Sequence, residues 1–328
     1  MTTNVTSLAS SPIDPFAGLT ATDAARIGAA MRVALAESTR AVYAHAWRGW
    51  ERWCIARAIN PLPGSPAAIC AYLVERAEQG ASAGTIDGAC SAISYQHRSH
   101  GLDDPTLAEA VRQVRRGLRR TLGTAPQRLA RPLDTGDIRQ IVTFIDRDTA
   151  KGARDAAIIL LGFASALRGS ELTGLTFADV ETKPGGLLLR VRRSKTDPEA
   201  HGQLVGVAHG QHAATDPVAA LATWTAVRGT EPGPLFVSLR NKVQTDEPIS
   251  DEAVARMLRS RARAAGLSPE RVTGHSLRAG HATTAAAAGV SLDRIALQTR
   301  HKRLSTLIER YIRPAQALEA TSSRDLGL

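Results

Sequence analysis

The chain has 328 residues, with 41 Lys or Arg against 31 Asp or Glu and a formal net charge of +10. That length buries a sizeable core in about two domains, and the charge suits a polyanionic partner. No stretch approaches the roughly 18 apolar residues of a membrane span, the N-terminus lacks the basic start and apolar run of a secretory signal, and three cysteines without a CxxC pair (Cys54, Cys70, Cys90) exclude a disulfide scaffold. These features together read as a soluble cytoplasmic protein.

Residues 1–33, rich in Ser, Thr and Pro at their start, read as a poorly ordered extension, and residues 34–122 as a helical domain. Tyr43, Trp47, Trp50 and Cys54 recur at i, i+4, i+7 and i+11, which predicts one buried helical stripe. Ser65-Pro66 is an N-cap followed by proline at the first helical position, and Gly80 closes that helix. A third helix starts near Ser82. A fourth, at about 105–120, places Leu107, Val111, Val114 and Leu118 on one arc, with Arg112, Arg115, Arg116, Arg119 and Arg120 on the other. Glu109 is the one acidic residue near them in sequence, so these arginines are candidates for phosphate contact. Residues 123–133 have Gly, two prolines and no periodicity, and predict a linker.

A second domain, residues 134–328, opens with a cap at Asp134 or Thr135. The nearly continuous apolar run Ala156–Leu167 predicts its central helix. Residues 187–192 and 203–207 carry the convincing strand signals, joined by a polar turn containing Lys195. Helices are predicted from about 216 to the end. The fold class is therefore mainly α with a small antiparallel β-sheet: an N-terminal helical domain followed by an α+β domain.

The second domain also carries dispersed polar residues: Arg168 in ALRGSEL, Lys195 in RSKT, His275 and Arg278 in TGHSLR, His301 in TRHK and Tyr311 in ERYIRP. They supply what metal-free phosphodiester cleavage needs. Two arginine forks stay charged at any relevant pH and can bind two phosphate oxygens each. Lys195 or His275 can protonate a leaving oxygen. His301 can bond a nonbridging oxygen. Tyr311, the only tyrosine after residue 95, offers a hydroxyl nucleophile, which needs a base or local positive charge because phenol has a pKa of about 10. His275 and Arg278, at i and i+3, face the same way on one helix, and Gly274 permits a sharp turn into it. His301 and Tyr311 are ten residues apart, about 15 Å along an unbroken helix. They share a site only if the chain breaks between them, with Ser305 or Thr306 capping a new helix. His209 and His212 form an HxxH without a third ligand in reach, and His281 reads as a packed residue.

From about residue 35 onward the chain resembles the tyrosine recombinases of the phage integrase family, in a Cre-like two-domain layout. By that resemblance the first domain is the core-binding domain that contacts DNA, and the second is catalytic. Arg168 and Arg278 are the phosphate clamps, Glu171 the supporting acid, Lys195 the general acid for the leaving 5′ hydroxyl, His275 an acid/base group, His301 the third polar position and Tyr311 the nucleophile. The expected activity is site-specific cleavage and rejoining of double-stranded DNA through a 3′-phosphotyrosyl intermediate, with neither metal nor ATP nor any other cofactor. The expected partners are paired recombination half-sites and three further copies of the chain in a tetramer, and the expected location is the bacterial nucleoid. A type IB-like topoisomerase and an inactive DNA-binding relative share most of these residues. Two positions depart from the family pattern. Arg300 stands where glycine is common, and the His301–Tyr311 interval is one residue longer than usual.

Overall fold

A computed structural model describes residues 20, 22–23, 25–27, 30, 35–124, 129–192, 202–240, 243–312 and 321–326. Lys195 and the turn that carries it lie outside these. The chain divides into two compact units, residues 1–127 and 128–328.

Among the described residues the first unit packs the helices α1 (Glu37–Ile55), α2 (Pro66–Glu78), α3 (Ala83–Ser99) and α4 (Glu109–Leu122) together. Ser65 and Ser82 accept the N–H groups of Ala68 and Thr85, capping α2 and α3. Trp50 and Cys54 from α1 are fully buried with Ile69, Leu73, Ile93 and Val111, and Trp47 packs at the edge of this core. Burial pushes the Cys90 thiol up to about 11. Helix α4 begins later than its apolar spacing suggests. Pro105–Leu107 forms a 3-10 turn capped by Asp104, leaving Leu107 65% exposed, so the buried stripe starts at Val111.

In the second unit, Asp134 caps α5 (Thr135–Thr143) in a reciprocal capping box with Asp137. Helix α6 (Ala150–Ser165) is buried along nearly its whole length and forms the centre of the core. It stops at Ala166, a left-handed residue with φ 52°, and the short helix α7 (Gly169–Thr173) follows. Strands β1 (Val180–Lys183), β2 (Gly186–Val191) and β3 (Gln203–Ala208) form an antiparallel sheet in that order, with Leu189 opposite Val205. Leu187, Leu189, Val191, Val205 and Val207 point into the core.

After α8 (Pro217–Arg228) comes a second hairpin that the sequence reading missed, β4 (Val237–Arg240) with β5 (Val243–Pro248). Its second strand, VQTDEP, is largely exposed and polar, so it carries no alternating hydrophobic signal. Helices α9 (Asp251–Ala264), α10 (His275–Ala287), α11 (Leu292–Thr299) and α12 (Leu304–Leu307) complete the unit, and a π-helical turn over Ile308–Ile312 continues α12.

Helix α10 lies backbone to backbone on the start of the unit. Leu133 is fully buried, and its N–H donates to the Ser276 carbonyl at 3.2 Å. A Cβ on Gly280 would sit 1.8 Å from the Leu133 carbonyl oxygen. Gly280→Ala is therefore expected to cost at least about 1–3 kcal/mol in urea unfolding, because backbone rather than a flexible side chain must give way. Gly117→Ala is the control: it lies inside α4 with open space around it, and alanine there should stabilise by about 0.4–1 kcal/mol.

Candidate active site

Arg168, His275, Arg278, His301 and Tyr311, the proposed catalytic residues that are described, gather where the C-terminal ends of α6 and α11 meet the N-terminal ends of α7 and α10. Arg168 is the N-cap of α7, held in extended conformation by the break at Ala166. Glu171, in the first turn of α7, is buried, and its carboxylate accepts the Arg168 backbone N–H at 2.8 Å and Nη1 at 2.6 Å. This fixes the Arg168 side chain, which stays 20% exposed. The glycines next to Arg168 and His275 provide space. Gly274 sits in the expected turn into α10, closed by the Ser276 N–H donating to the Thr273 carbonyl, in an ordinary right-handed conformation, φ −54°, that needs no glycine. A Cβ on Gly169 or Gly274 would instead meet Asp251 Oδ1, at 1.8 Å and 2.7 Å.

Arg278 follows His275 by one turn of α10 and is buried. Its Nη1 donates to the Ala166 carbonyl at 2.7 Å, and its Nη2 donates to the Thr299 carbonyl. Both carbonyls end helices, where they have no intrahelical partner and carry the negative end of the helix dipole. Burial and the neighbouring Arg168 and Arg300 push the Arg278 pKa down to about 10, so it stays charged at neutral pH. His301 sits beside it. The Thr299 hydroxyl gives its one hydrogen to the Ile295 carbonyl at 2.6 Å, so at 2.7 Å it accepts from His301 Nδ1. That leaves Nε2 with the lone pair. Burial, then Arg278, Arg168, His275 and Arg300, push the His301 pKa down to about 4.

Tyr311 reaches this cluster because the helix does break. α11 ends at Thr299, Arg300 takes a left-handed conformation with φ 56°, and α12 begins at Leu304 with Arg303 as its N-cap. Ser305 and Thr306 lie inside α12 and do not cap it. The π-helical turn that carries Tyr311 holds one residue more than an α-helical turn and takes up the longer His301–Tyr311 interval. Tyr311 Oη is 2.5 Å from His275 Nε2, and its ring packs 5.5 Å from the His301 ring and against the small core of Ala282, Ala286, Ile295 and Leu307.

Comparison with known proteins matches the phage integrase family over residues 131–317. An integrase/recombinase XerD homolog of Selenomonas ruminantium is 32% identical over 282 residues, 84% of this chain and 82% of that one. This chain belongs to the phage integrase family, the tyrosine recombinases. The recombinase Cre of Escherichia phage P1 is 26% identical over 283 residues, 80% of each chain. Among solved structures, a lambda integrase dimer bound to a COC′ core site superposes with TM-score 0.60 at 19% identity, covering 88% of this chain and 93% of that one. XerH bound to a palindromic difH substrate superposes with TM-score 0.55 at 15% identity, over 80% and 71%.

The five arginines of this phage integrase family member's α4 belong to the other unit. Arg112, Arg115, Arg116, Arg119 and Arg120 line a shallow depression together with Thr124. Asp87 of α3 supplies an acidic partner that the sequence around α4 did not reveal, lying 2.8 Å from Arg115 and 3.4 Å from Arg119. Arg112 pairs with Glu109. Arg116 and Arg120 make no ion pair among the described residues. Nor do any three His, Cys, Asp or Glu side chains there gather to hold a metal ion. His209 faces Asp216 at 3.1 Å, and His281 Nδ1 lies 2.9 Å from the Phe163 carbonyl. No helix among the described residues is long and apolar enough to cross a membrane. Two residues of the cluster were not assigned roles from the sequence. Thr299 and Arg300 gave no signal beyond Arg300 replacing the usual glycine.

Proposed function

We propose that the chain is a site-specific DNA recombinase or integrase that cuts and rejoins strands through Tyr311. The observation that carries the reading is the contact of Tyr311 Oη with His275 Nε2 at 2.5 Å, one helical turn from the Arg278 guanidinium. His275 Nε2 takes the phenolic proton while Oη attacks the scissile phosphorus. The bond to the 5′ oxygen breaks, and that oxygen leaves with a proton that the family resemblance assigns to Lys195. The product is a 3′-phosphotyrosyl bond and a free 5′ hydroxyl. Attack by a 5′ hydroxyl of a partner duplex reverses the step. Bond energy is retained in the phosphotyrosyl linkage, so the exchange needs no ATP.

Arg168 and Arg278 oppose the charge that grows on the nonbridging oxygens. Of its five N–H donors, Arg278 gives two to the carbonyls of Ala166 and Thr299, leaving three for phosphate. In the free protein burial, and after it the nearby cations, hold His301 neutral. The negative charge of the pentavalent phosphorus offsets them, raises the His301 pKa and turns its Nε2 into a donor at that stage. Paired half-sites in double-stranded DNA are the proposed substrate, and a homotetramer the proposed assembly.

The test is a nicked duplex carrying the binding site recovered by selection from random-sequence DNA. A covalent adduct whose peptide maps to Tyr311, together with recombinant product from two such sites, is expected. Plasmid relaxation without a preferred site or recombinant product would turn the reading toward a topoisomerase.

The α4 arginines are proposed to hold the DNA backbone. Arg116→Ala and Arg120→Ala should each weaken binding evenly across sequences and flatten the slope of log affinity against log salt by about 1. A slope unchanged in both variants would remove α4 from the interface.

A further inference from the structure

Arg300 is placed at a cost. A non-glycine residue with φ 56° and ψ 44° is disfavoured, because its Cβ crowds the following carbonyl oxygen. Its side chain is 5% exposed, and its Nε and Nη1 are buried without a hydrogen-bond partner. Its Nη2 donates to Glu171 Oε2, while Arg168 Nη1 holds Oε1 of the same carboxylate at 2.6 Å. Arg168, Arg278 and Arg300 thus surround one carboxylate, leaving two positive charges uncompensated within the cluster. If Arg300 served only to secure the α11–α12 turn, glycine would serve better, because it adopts this conformation freely and brings no buried donors.

We propose that Arg300 is a positioning residue for strand cleavage. It occupies Oε2 of Glu171, the oxygen that also takes the Arg168 backbone N–H, so that the Arg168 side chain is anchored through Oε1 alone and keeps its remaining N–H groups and its charge for the phosphate. It also adds a third guanidinium charge behind the two that face the anion. The inference rests on the recombinase reading above.

The probe is the same nicked duplex, with the rate of Tyr311 adduct formation at saturating DNA read beside the dissociation constant. Arg300→Gly is expected to slow adduct formation about 30-fold or more, with affinity changed no more than about threefold. Arg300→Lys keeps the charge but loses the fork, and should recover part of the loss. In a Glu171→Gln background, Arg300→Gly should cost less than about threefold further, because the carboxylate through which it acts is already neutral. Arg300→Gly at the wild-type rate would overturn the inference, as would full additivity with Glu171→Gln. If Arg300→Gly does not fold, the decision passes to Arg300→Lys. A rate reduced at unchanged affinity and melting temperature supports the proposal, and a wild-type rate overturns it. Absence of any adduct at Tyr311 in the wild-type protein is a separate result that overturns the recombinase reading and this inference with it.

Discussion

Tyr311→Phe is expected to abolish covalent protein–DNA adduct while leaving site-specific binding within about twofold of wild type. The substitution removes one oxygen and nothing else. The ring keeps its place against Ala282, Ala286, Ile295 and Leu307. No other tyrosine follows residue 95, so no neighbour in the second unit's sequence can supply a substitute phenol. Oη reaches His275 of its own chain, so the proposed nucleophile and base are expected to come from one protomer. Mixing Tyr311→Phe with Arg278→Lys protomers should therefore yield no more cleavage than the Arg278→Lys protomers give alone. Adduct persisting with Tyr311→Phe would refute the assignment of the nucleophile. Adduct recovered only in the mixture would show that protomers share the site.

The second large effect is expected at Arg278. Arg278→Lys should slow adduct formation by about 100- to 1,000-fold, the usual loss for one preorganised donor to a developing oxyanion. An ammonium is a point charge. It cannot bond the carbonyls of Ala166 and Thr299 together and still present a fork to two phosphate oxygens. Buried carbonyls left unpaired cost about 1–3 kcal/mol, so the urea midpoint should fall in the same variant. The two effects separate by temperature. Adduct rate measured well below the variant's melting transition reports the phosphate site alone. A wild-type rate there would remove Arg278 from the reaction, whatever its effect on stability.

The elements easiest to read from sequence are those whose signal is local. Ser65, Ser82 and Asp134 declare the starts of α2, α3 and α5 because a cap needs only a side-chain oxygen and the next turn's N–H groups. The apolar run of α6 and the alternation in β2 and β3 follow from burial on all sides or on one face. The β4–β5 hairpin was illegible for the converse reason. It lies on the surface and is held by pairing and polar contacts, so its residues show no period of two.

The site divides in the same way. The residue types of Arg168, His275, Arg278 and Tyr311 spoke to phosphate chemistry before any fold was known, but the contacts among them join positions far apart in the chain. Asp87 taking Arg115 and Arg119, Thr299 setting the tautomer of His301 and Arg300 sharing Glu171 are all tertiary facts. The left-handed conformation at Arg300 was hidden too, since arginine gives no warning of a positive φ where glycine or asparagine would. The π-helical turn at Tyr311 had a trace in sequence, the one-residue excess, but not a location.

Arg278, proposed to hold the phosphate, is also the clasp that closes two helix ends. A lineage that abandons DNA exchange while still folding can shed the Tyr311 hydroxyl at little cost, but loses its architecture if it sheds this guanidinium. Among degenerate descendants of such a gene, Arg278 should outlast the nucleophile. Its presence in a relative would then testify to an intact scaffold, and only the phenol would testify to a working enzyme.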